Sequence, residues 1–313
     1  MDCKLYIISH SDLPLKYQVP QTNHAAMEFA AQYPVEFSEW HRKSNSIIAL
    51  NCQNEQKLLE FSQKLRNKGI KFSEFREPDI GNELTAIAIC PGPDVKRICS
   101  GLPLAGKRIN EGAEERLQRK FEVVEAMLAC EQTSGQNMVQ HGEAVWNHLQ
   151  DLLLFLRDPH HKPRCAWRLP QWLLGCSGAL LGRLPPDHVL EKYTLWHDCG
   201  KPFCKTVDEE GKAHYPDHAR VSGRIFRELY PEQEQVARLI EQDMDIHLLT
   251  AEGTKEFSEK PDAIALLLAG LAEIHANAQM FGGLTSTSFK IKWKHLDRRG
   301  SAICKHLLDT SNH

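Results

Sequence analysis

The densest group of side chains able to do chemistry lies at residues 196–202, which read Trp-His-Asp-Cys-Gly-Lys-Pro. His197 and Asp198 are adjacent, and the glycine and proline that follow predict a helix end, so both side chains can reach one ion. Imidazole nitrogens and carboxylate oxygens bind divalent cations. Lys201 adds a positive charge that suits a phosphate. This segment therefore predicts a metal site that acts on phosphoesters.

Side chains of the same types occur before and after this segment. They are His141, His148, His214, His218, Asp243, His247, Glu273, His275 and Asn277. Asp243 and His247 are spaced i and i+4, so they would share a helix face. A metal held by such groups lowers the pKa of its water and neutralises charge on a phosphoryl oxygen. A single histidine is more often an ordinary surface or hydrogen-bonded residue, but the combined cluster favours a metal site.

Residues 196–202 and the later run Asp-Glu-Glu-Gly-Lys-Ala-His-Tyr-Pro-Asp-His at 208–218 resemble the HD domain attached to bacterial tRNA nucleotidyltransferases. That family has a His-Asp-x-Gly-Lys-Pro run, an acidic hairpin, and then an aromatic residue and a histidine. The resemblance covers Phe121 to about Met280. It implies a metal-dependent phosphohydrolase whose cofactor is a divalent ion such as Mn, Fe, Ni, Zn or Mg.

The resemblance also implies roles for individual residues. The metal ligands would be His141, His197, Asp198, His218, Asp243 and Asn277, although His218 could instead contact the substrate phosphate. Asp243 stands in place of a family histidine and Asn277 in place of a family aspartate. Glu273 lies one turn before Asn277 and could substitute for it. Catalysis would fall to Asp198 and Lys201, and substrate contacts to His214, His247 and Glu273.

A basic segment with aromatic residues follows at 286–299. Its local positive patch consists of Lys290, Lys292, Lys294, Arg298 and Arg299, with the rings of Phe289 and Trp293 among them. Of these, Lys290, Lys294 and Arg298 would contact phosphates. Cations with aromatic rings suit single-stranded RNA or a nucleotide. The alternative is an amphipathic helix with a solvated charged face, and the sequence leaves both open.

The first hundred residues carry a second resemblance, to type-2 peptidyl-tRNA hydrolases, over about residues 1–105. It rests on Asp12-Leu13, Gln21-x-x-His24-Ala25, Asp79-x-Gly81 and Pro91-Gly-Pro93. The family's catalytic lysine would fall where this chain has Tyr17, with Lys16 next to it. Since a tyrosine stands at the position of the catalytic lysine, we expect this domain to bind a tRNA-like substrate or a partner rather than to hydrolyse peptidyl-tRNA.

The elements that must position these residues form two predicted domains. Alternating strand and helix patterns at 1–105 predict a small α/β domain with a mixed sheet, in which Thr22–Tyr33 is the first helix. From Glu111 onward the patterns are almost wholly helical and include a predicted helix at Trp167–Leu181. We expect an all-α HD helical bundle at 121–313, joined by a linker at 106–120.

Composition narrows the functional classes. The 313 residues have a net charge of -3, so nucleic acid could be bound only through a local basic patch. Ten cysteines without a Cys-x-x-Cys pair argue against a structural zinc site and, with no signal peptide or membrane span, predict a cytoplasmic protein.

The sequence thus predicts a phosphohydrolase acting on RNA ends, such as a tRNA 2′,3′-cyclic or terminal phosphate, with the first domain binding RNA. The alternatives are a small-nucleotide phosphohydrolase and a non-catalytic RNA-binding adaptor. The sequence leaves the oligomeric state open.

Overall fold

The computed structural model describes residues 3–107, 109–133, 135–158 and 160–311. The chain divides into two compact units, a first unit at Met1–Val124 and a helical unit at Glu125–His313. None of the helices in the described ranges combines the length and the apolar character needed to cross a bilayer.

The first unit is built on a four-stranded mixed sheet, as the sequence predicted. Its strands are β1 (Leu5–His10), β2 (Ile47–Cys52), β3 (Phe72–Glu77) and β4 (Glu83–Ile89). The strand order is β2-β1-β4-β3, with β1 parallel to β2 and β4 antiparallel to both of its neighbours. The two central strands, β1 and β4, are buried along their whole length because helices cover both faces of the sheet.

Five helices accompany this sheet: α1 (Leu15–Gln32), α2 (Pro34–Lys43), α3 (Glu55–Asn67), α4 (Val95–Cys99) and α5 (Ala113–Ala129). Phe29 of α1 and Trp40 of α2 pack on one face of the sheet, whereas Leu58 and Leu65 of α3 pack on the other. The first helix starts well before the predicted Thr22. Pro20 interrupts the helical pattern in the sequence. In the structure it stands in the second turn of α1, where it removes one backbone hydrogen bond without ending the helix.

The segment 106–120 differs from the expected linker. From Ala113 onward it is helical, and it forms the first half of α5. Leu117 is buried against Leu13 and Ile80 of the first unit, which holds this half of the helix in place. Arg108, in the same segment, lies outside the described residues.

The second unit is mainly helical, with two short hairpins added to the expected bundle. Its helices are α6 (Met138–Arg157), α7 (Trp172–Gly175), α8 (Ser177–Leu181), α9 (Asp187–Trp196), α10 (Lys201–Cys204), α11 (His218–Leu229), α12 (Glu234–Glu241), α13 (Asp245–Leu248), α14 (Thr254–Glu259), α15 (Ala263–Ala276) and α16 (Thr287–Ser311). The hairpins pair β5 (Glu131–Thr133) with β6 (Gln136–Asn137) and β7 (Thr206–Val207) with β8 (Ala213–His214).

The core of this unit forms around α15, whose apolar side chains are almost all buried. Helix α6 packs against both α15 and α9, and α9 also packs against α12. The predicted helix Trp167–Leu181 is instead the two short helices α7 and α8, preceded by non-helical backbone. The hairpin of β7 and β8 overlaps the run at 208–218, where the resemblance to the HD domain implied an acidic hairpin.

Candidate metal centre and substrate pocket

A close approach of two helices places His141 beside the His-Asp pair. His141 lies on α6, and His197 and Asp198 directly follow α9. The residue after His141 is Gly142, where an added Cβ would lie 2.9 Å from the carbonyl oxygen of Leu195 on α9. The absence of a side chain at Gly142 therefore lets the two helix backbones touch at the level of the candidate ligands.

The three side chains point toward one another. The Asp198 Oδ2 atom lies 3.5 Å from His141 Nε2 and 3.4 Å from His197 Nε2. The two imidazole ring centres are 5.1 Å apart. One ligand atom from each of these residues can be chosen so that all three lie within 4.8 Å of one another. Among His, Cys, Asp and Glu side chains in the described ranges, these form the one group of three close enough to hold an ion together.

Three of the four ring nitrogens of this group have no hydrogen-bond partner among the described residues. Both nitrogens of His141 and the Nε2 atom of His197 are buried and make no hydrogen bond within the described part of the chain. His197 Nδ1 donates to the Thr194 carbonyl oxygen at 2.7 Å, which fixes the ring and leaves Nε2 facing the cluster. Buried nitrogens without partners are costly, and a cation among them would satisfy them. The residues present therefore fit a divalent metal ion.

The charges of the group are strongly perturbed. Burial, together with nearby His197, lowers the pKa of His141 to about 4, so its imidazole is neutral and able to coordinate. Burial opposes a charge on His197 as well, but the adjacent Asp198 carboxylate outweighs this effect and raises its pKa to about 10. Burial also opposes the Asp198 carboxylate, yet Lys201 and His197 hold its pKa well below the usual value. A divalent ion that binds here would take the place of the His197 proton, because only a neutral imidazole coordinates a metal.

Lys201 is committed to positioning this carboxylate. Its Nζ atom donates to Asp198 Oδ2 at 2.6 Å and to Gln132 Oε1 at 3.1 Å, and its side chain is largely buried. The cation that the sequence suggested for a substrate phosphate is thus already paired. Gly200 allows this arrangement, because a Cβ there would meet the backbone nitrogen of Ser222 on α11 at 2.5 Å.

The other predicted ligands lie at different distances from this centre. His218, at the start of α11, has its Nε2 atom 3.8 Å from Asp198 Oδ1. Asp243 is buried and accepts a hydrogen bond of 2.5 Å from Tyr193. Asn277 is also buried, and its Oδ1 atom has no hydrogen-bond partner among the described residues. The structure thus brings His218 next to Asp198 and leaves Asn277 with a free acceptor.

A cavity of about 360 Å³ lies in the helical unit and is lined by Asn277, His247 and Glu273. His247 Nε2 donates to Glu273 Oε2 at 3.0 Å. Burial favours the neutral form of Glu273, but this hydrogen bond keeps its pKa below the usual value. Glu273 also interacts electrostatically with His141 and His197, which indicates that the cavity is close to the metal-ligand candidates.

Two members of the basic segment that the sequence singled out line this cavity, but they are not the three expected to contact phosphates. From α16, the cavity is lined by Lys292, His295, Leu296 and Arg299. The predicted phosphate contacts Lys290, Lys294 and Arg298 are exposed on a different face of the same helix. Phe289 and Leu296 are buried in the core, and this fixes how α16 is rotated about its axis. The rotation brings Lys292 and Arg299 to the cavity, whereas Lys290, Lys294 and Arg298 face outward.

His214 also lies outside the group of candidate ligands. It is half exposed on β8, and its Nε2 atom lies 2.6 Å from Asp208 Oδ2 within the hairpin. The structure therefore gives His214 a role in holding the hairpin turn rather than a place beside Asp198.

In the first unit, two of the residues that carry the second resemblance contact the sheet, the buried Gln21 and the exposed His24. Gln21 donates to Glu77 at 2.7 Å and accepts from the Thr85 hydroxyl at 2.7 Å. The His24 ring stacks on Phe75 with ring centres 4.4 Å apart. These contacts join α1 to β3 and β4, so the residues have a structural use in this unit.

Helix α5 lies over the loops that precede α1 and β4. Glu114 forms an ion pair with Lys16, and Arg116 binds Asp12 at 2.8 Å. Farther along the helix, Phe121 contacts Tyr17 with ring centres 6.0 Å apart. Lys16, which is next to the position of the family's catalytic lysine, therefore forms an exposed ion pair with α5.

Comparison with known proteins agrees with the architecture of the first unit. Residues 3–105 match the family model described as Peptidyl-tRNA hydrolase PTH2. No curated protein matches the chain.

Proposed function

We propose that this chain is an HD-type metal-dependent phosphohydrolase that acts on RNA ends, with the first unit binding the RNA. The observation that carries the proposal is the buried group of His141, His197 and Asp198, whose free ring nitrogens surround one carboxylate oxygen. Perturbed ionisable groups that converge at one buried place are typical of functional sites.

The three side chains would hold the ion, and His218 stands next to them as a further ligand or a phosphate contact. A divalent ion held there would supply a Lewis acid for a phosphoryl oxygen and lower the pKa of a water molecule. The protein's own contribution is orientation. Thr194 sets the tautomer of His197, and Lys201 fixes the Asp198 carboxylate.

Support for a phosphorylated substrate comes from the neighbouring cavity. Lys292 and Arg299 line it opposite the acidic Glu273, so a phosphate bound there would meet two cations. Support for an RNA substrate comes from the match of residues 3–105 to the peptidyl-tRNA hydrolase PTH2 family model. Because Tyr17 stands where the family's catalytic lysine would fall, the proposed role of the first unit is binding rather than hydrolysis.

A second candidate is a phosphohydrolase for free nucleotides. The cavity that Lys292 and Arg299 line has a volume of about 360 Å³, which falls within the range of about 300–1,000 Å³ typical of small-molecule pockets. Such a pocket could hold the terminal nucleotide of an RNA or a free nucleotide, so comparing the two substrates distinguishes the candidates.

The test combines metal analysis with hydrolysis. Purified full-length protein is assayed for bound Mn, Fe, Ni, Zn and Mg, and then for phosphate release from RNA ending in a 2′,3′-cyclic or terminal phosphate. His197→Ala is expected to lose the metal and at least about 100-fold in turnover while circular dichroism stays unchanged. His214→Ala is the matched control and keeps both. Full metal content and turnover in His197→Ala would refute the proposal, and faster turnover of free nucleotides would favour the second candidate.

A further inference from the structure

A cavity in the first unit lies beside the carboxyl ends of its two parallel strands. Its volume is about 750 Å³. Ser11, just after β1, and Gln53, just after β2, lie on its wall. In sheets with parallel strands, ligands commonly bind outside the carboxyl ends of those strands. The position of the cavity is thus one at which folds of this kind often hold a small molecule.

One face of α3 supplies charges and a ring to this cavity. Lys57, Glu60, Phe61 and Lys64 follow the spacing i, i+3, i+4 and i+7, which puts them on one side of the helix. The adjoining side carries the core residues Leu58 and Leu65, and part of Phe61 also packs against this core. Lys57, Glu60 and Lys64 are exposed, so these charged side chains are not needed for packing the unit and can meet a ligand.

The ring of Phe61 lies between the two lysines along this face and is only partly buried. The Lys64 ammonium lies 5.8 Å from the ring centre and makes no ion pair with any described residue. Lys57 forms an ion pair with Glu60 at 2.7 Å, so the two lysines exceed the acidic charge of the cavity wall by one. A partly open ring flanked by cations suits a stacked base with its phosphate.

The rest of the wall offers amide groups. Asn51, Gln53 and Asn110 line the cavity together with the Ser11 hydroxyl. Asn51 is fully buried and donates to Gln18 at 3.0 Å, whereas its Oδ1 atom has no partner within the described residues. An acceptor without a partner favours a ligand that carries N–H groups, and carboxamides are the usual readers of base edges.

We infer that this cavity binds a single unpaired nucleotide, with the base on Phe61 and the phosphate at Lys64. The ligand class is a nucleoside monophosphate, either free or as one residue of an RNA strand. The inference deepens the RNA-binding role proposed for the first unit and rests on it. It assigns that role to the α3 side of the sheet, opposite the α1 face that carries Gln21 and His24.

The experiment measures binding without hydrolysis. Full-length protein is treated with a chelator and titrated calorimetrically with each of the four ribonucleoside monophosphates, with inorganic phosphate and with a short unstructured RNA. We expect nucleotides and RNA to bind and phosphate alone to bind at least about tenfold more weakly, because stacking on Phe61 contributes to the affinity. Equal binding of phosphate and nucleotide would overturn the role of the ring.

Variants locate the site. Phe61→Leu and, separately, Lys64→Ala should each weaken nucleotide binding about tenfold. Lys96→Ala, an exposed lysine of the same unit that does not line the cavity, should leave binding unchanged. The lysine variant keeps the test valid if Phe61→Leu fails to fold.

A nucleotide affinity that falls in Lys292→Ala but not in Lys64→Ala would place the binding in the helical unit and overturn the inference. Loss of hydrolysis in His197→Ala bears on the proposed function alone. The two failures can therefore be told apart.

Discussion

Replacing Gly142 by alanine tests how the candidate ligands are held together. The added Cβ would lie 2.9 Å and 3.0 Å from the carbonyl oxygens of Leu195 and Thr194, whereas ordinary contacts begin at 3.4 Å. Both obstacles are backbone atoms of α9, which cannot rotate away as a flexible side chain can. The helices α6 and α9 must therefore separate by roughly half an ångström at this level.

Two opposing effects set the change in stability. Alanine is favoured over glycine inside a helix by about 1 kcal/mol. Overpacking against rigid neighbours costs about 1–3 kcal/mol. We expect a net loss of up to about 2 kcal/mol, and each kcal/mol lowers the unfolding temperature by about 2–4 °C for a domain of this size.

The same displacement should weaken metal binding. His141 precedes Gly142 on α6 and moves with it, whereas His197 and Asp198 follow α9. Metal–ligand distances tolerate only about 0.2 Å, so a shift of roughly half an ångström lies outside this tolerance. Because misplaced or unsupported ligands typically cost 10- to 100-fold in affinity, we expect a loss of at least about tenfold.

The assay is calorimetric unfolding with and without excess metal, combined with competition against a chelator. Gly178→Ala is the matched control, because Gly178 lies in α8 and a Cβ there would meet nothing within 4 Å. The control should be as stable as the parent or slightly more so, with unchanged metal affinity. If Gly142→Ala matched Gly178→Ala in both measurements, the argument that contact between α6 and α9 positions His141 would fail.

Three further predictions concern other parts of the chain. Lys120→Ala removes the cation that binds buried Glu83 at 2.6 Å, so chemical denaturation should show a loss of about 3–5 kcal/mol, and an unchanged midpoint would contradict this. Lys292→Ala should raise the KM for phosphorylated substrates and flatten its salt dependence, whereas Lys290→Ala should do neither in the same kinetic assay. The full-length protein should show no peptidyl-tRNA hydrolysis, and turnover that Lys16→Ala abolishes would disprove this expectation.

Much of the architecture could be predicted because it depends on local patterns. Apolar runs bounded by turn residues identified the four strands, and their alternation with helices indicated the mixed sheet. Helix α2 was missed because its surface is mostly polar and only Trp40 is buried. Pro34 at its first position was the one signal available for its start.

The candidate centre could be predicted from the sequence because His197 and Asp198 are neighbours in the chain. The residues that line the adjacent cavity were harder to predict. Two lysines at i and i+4 share one face of a helix, but their spacing does not show what that face contacts. The buried stripe of Phe289, Leu296 and Ile303 determines how α16 is turned. That stripe decides which members of the basic segment, Lys292 and Arg299, reach the cavity wall.

The three candidate ligands come from two separate parts of the chain, because His141 lies on α6 whereas His197 and Asp198 follow α9. This separation has a consequence for folding. In the unfolded chain only His197 and Asp198 are neighbours, so a bound ion would gain His141 only once α6 and α9 have met. A cation at the proposed centre would then act as a reversible cross-link that recognises the folded chain, and it would add about 2.7 kcal/mol of stability at a concentration 100 times its dissociation constant. Amide hydrogen exchange in α6 and α9 would slow as the metal concentration rises, whereas exchange in the first unit would stay the same.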